Sequence, residues 1–227
     1  AVTASGVIGS FSSYGPSSDG QIKPDMSSVG VSAMIQTNAN TIGFSNGTSF
    51  ACPNMAGLGT CLWQGFPEFN NMRIIRELQK ASSKFSTPDD RVGYGIPNMK
   101  LAFSNLLVDY ATSSSTIANC NVIISWSSKD IAAMKYEVER KGPAESVYTK
   151  VGTINPQAGT TLTNRNYQFI NDVTGLTTGN YSYRIRQIID TAATSFTAIY
   201  IDTTNVNSPT NCVIVIPPEP FKELITV

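Results

Sequence analysis

The sequence has 227 residues, of which 41% are hydrophobic, and this is enough apolar material for one large or two ordinary globular domains. Sixteen basic and sixteen acidic residues cancel, which argues against nucleic acid or an anionic membrane surface as a partner. No apolar run reaches the length of about 20 residues that a membrane span needs, and no cysteine pattern indicates zinc, so we expect no membrane span, metal or cofactor.

Residues 1–106 mix Gly-rich turns with helical patterns, which is typical of an α/β domain. The run FACPNMAGLGTCLWQGF is apolar on every face and predicts a helix packed deep against a sheet, with Cys52 and Cys61 as buried thiols. NNMRIIRELQKAS predicts a surface helix with Glu77 off its apolar stripe, which consists of Ile74, Ile75, Leu78 and Ala81. A short helix is expected over 98–106.

After the polar stretch ATSSSTIAN, which we interpret as the boundary near 108–118, apolar residues alternate with polar ones. Six runs of strand length follow: NVIISWS, KYEVERK, VYTKVGTI, NYQFIND, NYSYRIRQII and TSFTAIYIDT. They predict an all-β sandwich with Trp126 in its core and a tyrosine corner at Tyr181 and Tyr183. Cys120 and Cys212 each precede an apolar run, and they would meet if those runs are neighbours.

Gly47, Thr48 and Ser49 stand before the apolar helix and allow two interpretations. Thr48 or Ser49 could cap the helix, with Pro53 tolerated in its first turn. Alternatively, Ser49 is a nucleophile, because a strand-to-helix junction exposes the hydroxyl and aims backbone N–H groups at a developing oxyanion. The three residues alone do not decide between these interpretations.

The longer run Gly47-Thr48-Ser49-x-Ala51-x-Pro53-x-x-Ala56-Gly57 resembles the serine motif of the subtilisin-like proteases, or subtilases. Asn54 stands where a histidine outside the catalytic triad is common. The resemblance extends over about 1–106. It includes an F-S-S-x-G-P turn and a K-P-D motif near the start, and a G-x-G-x-x-N ending, with these matching residues: Phe11, Ser12, Ser13, Gly15, Pro16, Lys23, Pro24, Asp25, Gly93, Gly95 and Asn98.

The resemblance implies that Ser49 is the nucleophile and that its own N–H is one oxyanion donor, with Thr48 as a helper and Asn46 and Gly47 bordering the scissile bond. The family's triad runs Asp, His, Ser along the chain. The sequence has no histidine, so we expect the Asp, the His and the oxyanion-hole Asn in a missing N-terminal part. The chain alone should then be inactive. The carboxylates at Asp19, Asp25, Asp89 and Asp90 are interpreted as turn and capping groups.

The second half resembles a fibronectin-III-like module, and PPEPFKELITV resembles the start of the sorting domain of the type IX secretion system. We therefore predict three parts. Residues 1–106 form the C-terminal part of a parallel-sheet subtilase domain, 107–216 a fibronectin-III/Ig-like sandwich, and 217–227 the start of a possible sorting domain. The intact protein is expected to be a secreted or cell-surface serine endopeptidase acting on polypeptides. The alternative is a catalytically inactive subtilase-fold adhesin or scaffold that binds through its sandwich.

Overall fold

The computed structural model describes residues 1–37, 40–176, 179–190 and 197–208. The chain divides into two compact units, Ala1–Phe103 and the residues from Ser104 onward. Among the described helices, none has the length and hydropathy needed to cross a bilayer. The predicted sorting segment 217–227 lies outside the described residues, as does Cys212.

The first unit combines a small hairpin with helices. Strands β1 (Ala33–Gln36) and β2 (Ile42–Ser45) pair antiparallel, and helices α1 (Thr48–Gly65), α2 (Asn71–Lys80) and α3 (Met99–Tyr110) follow, α3 running on into the second unit. We expected a parallel sheet. In the described part of this unit, parallel pairing is limited to one bridge between Val2 and Val29. Parallel strands are joined by long crossover connections, so their partners are distant in sequence and a local pattern does not show whether they pair.

Helix α1 does not lie deep in a core, and this prediction was wrong. Among its residues only Ala51 and Leu62 are buried, and Cys52 and Cys61 are exposed free thiols. The apolar composition was interpreted correctly as helical. Burial depends on what packs across the helix, however, and in this unit its main helical neighbour is α2. A large part of the surface of α1 therefore faces outward.

Helix α2 follows its predicted pattern with two exceptions, one of which is Ile75, predicted on the apolar stripe but 40% exposed. The side chain of Asn70 caps it by accepting a hydrogen bond from the Arg73 N–H at 2.9 Å. Ile74 and Leu78 are buried as expected. Glu77, predicted on the polar side, is only 1% exposed. Its carboxylate is compensated within the helix by Lys80 at 2.7 Å and Arg73 at 3.3 Å, which agrees with the rule that buried charges are paired.

After the end of α3, the described part of the second unit consists of β-strands. Its strands are β3 (Thr112–Ala118), β4 (Asn121–Asp130), β5 (Lys135–Lys141), β6 (Thr149–Ile154), β7 (Thr163–Asp172), β8 (Gly179–Asp190) and β9 (Thr197–Ser208). They form two antiparallel sheets, one with the order β3-β4-β7 and one with the order β6-β5-β8-β9. All six predicted runs correspond to strands, and β5 begins and ends where the alternation predicted.

Strand β3 was missed, because the stretch ATSSSTIAN was interpreted as a polar boundary segment. Thr112 to Ala118 instead pair residue by residue with Ser127 to Asn121 of β4. Its inward positions are mostly serines, such as the buried Ser115, so the strand shows almost no apolar alternation. Its pairing partner, rather than its own pattern, makes it a strand.

Aromatic side chains join the two sheets of the second unit. Trp126 on β4 lies 5.4 Å from the Tyr136 ring on β5 and 5.6 Å from the Tyr167 ring on β7, measured between centroids. Trp126 is thus a core residue, as predicted. The tyrosine corner differs from the expectation, since the Tyr183 hydroxyl donates to the side-chain oxygen of Asn171 at 2.7 Å. The backbone acceptor of that motif is replaced here by an amide on β7.

Candidate functional site

The turn from β2 into α1 is fixed by two hydrogen bonds to the segment before β1. The Gly47 N–H donates to the Gly30 carbonyl at 2.7 Å. The Ser32 N–H donates to the side-chain oxygen of Asn46, also at 2.7 Å. Gly30 is needed for this approach, because a Cβ there would lie 2.5 Å from the Gly47 oxygen. The turn before Ser49 is therefore held on both its backbone and its side chain.

Ser49 is the second residue of α1 and is exposed to solvent. The helix begins after Gly47, which provides no side-chain cap, and its first turn contains no acidic residue. The capping interpretation is therefore wrong, because Thr48 and Ser49 both lie inside the helix. No side chain caps this end of α1, where the Phe50 N–H donates to the Gly47 carbonyl at 3.2 Å. The Ser49 hydroxyl lies at the positive end of the helix dipole. This is the arrangement that an oxyanion requires.

Pro53 lies in the second turn of α1 rather than in the first. Proline has no backbone N–H, and in an α-helix residue 53 would donate to the carbonyl of residue 49. The Ser49 carbonyl is thus without its usual helical donor.

Thr48 lines a largely apolar cavity of about 650 Å³ between α1, α2 and the N-terminal segments that precede β1. The cavity is lined by Cys52, Met55, Trp63 and Leu78, among others. Thr48 is a neighbour of Ser49 in sequence. Its position in the lining of this cavity was not predicted from the sequence.

A general base for Ser49 is not supplied by histidine, because the sequence contains none. The candidate carboxylates serve in turns. Asp25 forms an ion pair with Lys23 at 2.7 Å, and Asp89 accepts hydrogen bonds from the Lys84 ammonium and from the N–H groups of Arg91 and Val92. The hydrogen bond from Lys84 is the main reason why the pKa of Asp89 lies at about 2.

Metal binding has no basis in the described part of the chain, where no three His, Cys, Asp or Glu side chains are close enough to hold an ion.

In the second unit, Cys120 is disulfide-bonded. The pairing predicted for it with Cys212 involves a residue outside the described ranges.

A second feature beside the serine was not singled out by its sequence. Three large apolar side chains on the β1–β2 hairpin, those of Met34, Ile42 and Phe44, are mostly exposed. The sequence pattern that could have identified them is the alternation of apolar residues along each strand, but alternation is a weak indicator over only four residues.

The assembled site thus contains an exposed serine at a helix N-terminus that has no side-chain cap, next to a turn held by Asn46 and Gly47. The chain matches no curated protein. Residues 1–95, which contain the whole of this turn, match the model of the Subtilase family. The first unit is therefore similar to part of a subtilisin-like serine peptidase.

Proposed function

We propose that this chain supplies the serine nucleophile of a secreted subtilisin-like endopeptidase. The observation that carries the proposal is that Ser49, within the family match over residues 1–95, is exposed at the uncapped first turn of α1. The substrate would be a polypeptide. The catalytic Asp and His would be contributed by sequence upstream of Ala1.

In this mechanism the Ser49 hydroxyl attacks the carbonyl carbon of the scissile peptide, and its proton passes to the imidazole of the upstream part. The chain's own contribution is positional and electrostatic. The Ser49 N–H and the positive end of α1 stabilise the oxyanion. Asn46 and Gly47 hold the turn in place through their hydrogen bonds to Ser32 and Gly30.

For the second unit, we infer a fibronectin-III-like sandwich from its three-stranded and four-stranded sheets with the orders β3-β4-β7 and β6-β5-β8-β9. In the endopeptidase this module would act outside the catalytic step. In the alternative function, an inactive adhesin or scaffold, it would provide the main binding surface.

The test compares Ser49→Ala with Ser13→Ala in the intact protein that includes its upstream part. Ser13 is another exposed serine of the same unit. Ser49→Ala should remove peptide hydrolysis and fluorophosphonate labelling, because loss of the serine or the histidine of such a triad lowers kcat on the order of 10⁶. Ser13→Ala should retain both. Hydrolysis that survives Ser49→Ala would refute the nucleophile, and an intact protein that is never labelled would favour the inactive scaffold.

A further inference from the structure

The outer face of the β1–β2 hairpin is apolar and exposed. Met34 is 68% exposed, Ile42 74% and Phe44 71%. Met34 pairs directly with Phe44 in the antiparallel register, and Ile42 lies two residues before Phe44, so all three share one face of the sheet. On the opposite face, Ala33 is buried against the unit. We name the exposed set Met34, Ile42 and Phe44 the hairpin face.

The sequence around the hairpin face lacks charge. Residues 26–67 contain no Asp, Glu, Lys or Arg, and the position paired with Ile42 is the neutral Gln36. Surface segments usually carry charged side chains, so a long stretch that lacks them and is exposed over much of its length is informative. Such a surface offers nothing to an ionic ligand and matches a partner with uncharged apolar side chains.

The hairpin face is also held close to Ser49. Phe44 precedes Ser49 by five residues, so their Cα atoms are at most roughly 18 Å apart even if the chain between them were fully extended. The bonds from Ser32 to Asn46 and from Gly47 to Gly30 tie the base of the hairpin to the same turn. A peptide in extended conformation covers this maximum distance in about five or six residues.

We propose that the hairpin face binds apolar side chains of the polypeptide substrate, within about six residues of the bond presented to Ser49. This inference rests on the proposed function, since it takes the occupant to be the substrate. It makes the preferred substrate an extended polypeptide with an apolar segment at that distance from the scissile bond. Met34, Ile42 and Phe44 would be specificity residues that do not touch the reacting atoms.

The binding test uses the 227-residue chain and needs no catalysis. The probe is a fluorescein-labelled peptide of Gly, Ala and Ser that carries two leucines, with a leucine-free version as its control, and the readout is fluorescence anisotropy. Phe44→Ser should weaken binding of the leucine peptide by about tenfold, the effect of removing most of one buried aromatic contact. Val147→Ser is the matched control, because Val147 is equally exposed at 68% but lies in the second unit.

Since Phe44 is exposed, the variant should fold, and unchanged circular dichroism checks this. Ile42→Ser provides an independent second variant with the same expected direction. A photoreactive benzoylphenylalanine beside the leucines should cross-link to residues of the hairpin. Three results would each overturn the proposal. The first is cross-linking confined to the cavity between α1 and α2, and the second is equal peptide affinity for Phe44→Ser and Val147→Ser. The third is a dimer in sedimentation that Phe44→Ser dissociates, because a second copy of the chain would then occupy the hairpin face.

The two proposals fail separately. Loss of the hairpin effect leaves the hydrolysis test of Ser49→Ala untouched. Conversely, hydrolysis that survives Ser49→Ala removes the nucleophile, while the anisotropy difference between Phe44→Ser and Val147→Ser would still show that the hairpin binds apolar peptides.

Discussion

Replacing Tyr167 by phenylalanine should destabilise the second unit by an amount that depends on pH. The Tyr167 hydroxyl donates to the carboxylate of Asp130 at 2.5 Å, and this carboxylate is fully buried. Arg165 forms an ion pair with the same carboxylate at 2.7 Å. A hydrogen bond to a charged group contributes about 1.5–3 kcal/mol, so a loss of this size is expected at neutral pH.

The pH dependence follows from Asp130. Burial raises its pKa above the ordinary value of 3.8, although the hydrogen bond from Tyr167 opposes the shift. A carboxyl whose pKa is raised by folding contributes stability that is present below the unfolded pKa and is lost as the pH rises through the folded pKa. Tyr167→Phe raises the folded pKa further, so its cost should be largest at pH 7. The cost should shrink toward that of a neutral hydrogen bond, about 0.5–1.5 kcal/mol, once Asp130 is protonated.

Tyr183→Phe is the matched control. Its hydroxyl donates to the amide oxygen of Asn171, which does not titrate, and the pKa of Tyr183 itself is raised to about 12 by burial. The loss for this variant should be the same at pH 4 and at pH 7. Urea unfolding followed by Trp126 fluorescence, in a Trp63→Phe background, reports on the second unit. If Tyr167→Phe lowers the free energy of unfolding equally at the two pH values, the ionisation of Asp130 does not control the strength of its hydrogen bond with Tyr167, and the reasoning is refuted.

Two further predictions concern the first unit. Gly93→Ala should lower the free energy of unfolding in urea by more than about 2 kcal/mol, because φ is +64° and a Cβ would lie 1.8 Å from the Pro24 oxygen. Gly57→Ala is its control, since a Cβ there meets nothing within 4 Å, and this variant should instead stabilise α1 by about 0.5–1 kcal/mol. Lys84→Ala should raise the pKa of Asp89 from about 2 toward 3.8 in a carboxyl NMR titration. Because folding depresses this pKa, the stability from the pair is present above pH 3.8 and is lost as the pH falls toward 2, and an unchanged titration would contradict the contact.

The sequence by itself determined the features that are encoded locally. A period of two residues is a property of the strand backbone, so KYEVERK predicted β5 from Lys135 to Lys141 without knowledge of its partners. The stripe of Ile74 and Leu78 predicted α2 for the same reason. The motif that underlies the proposal for Ser49 was also readable, because its residues are contiguous in the chain.

Only the tertiary structure decided which surfaces are covered. The composition of α1 indicated a buried helix, yet Cys52 and Cys61 are exposed, whereas the charged Glu77 is buried. Strand β3 exists because β4 pairs with it, and not because of its serine-rich pattern. Burial and pairing are set by what lies across from a residue in space, and these partners are distant in sequence, so no local pattern contains them.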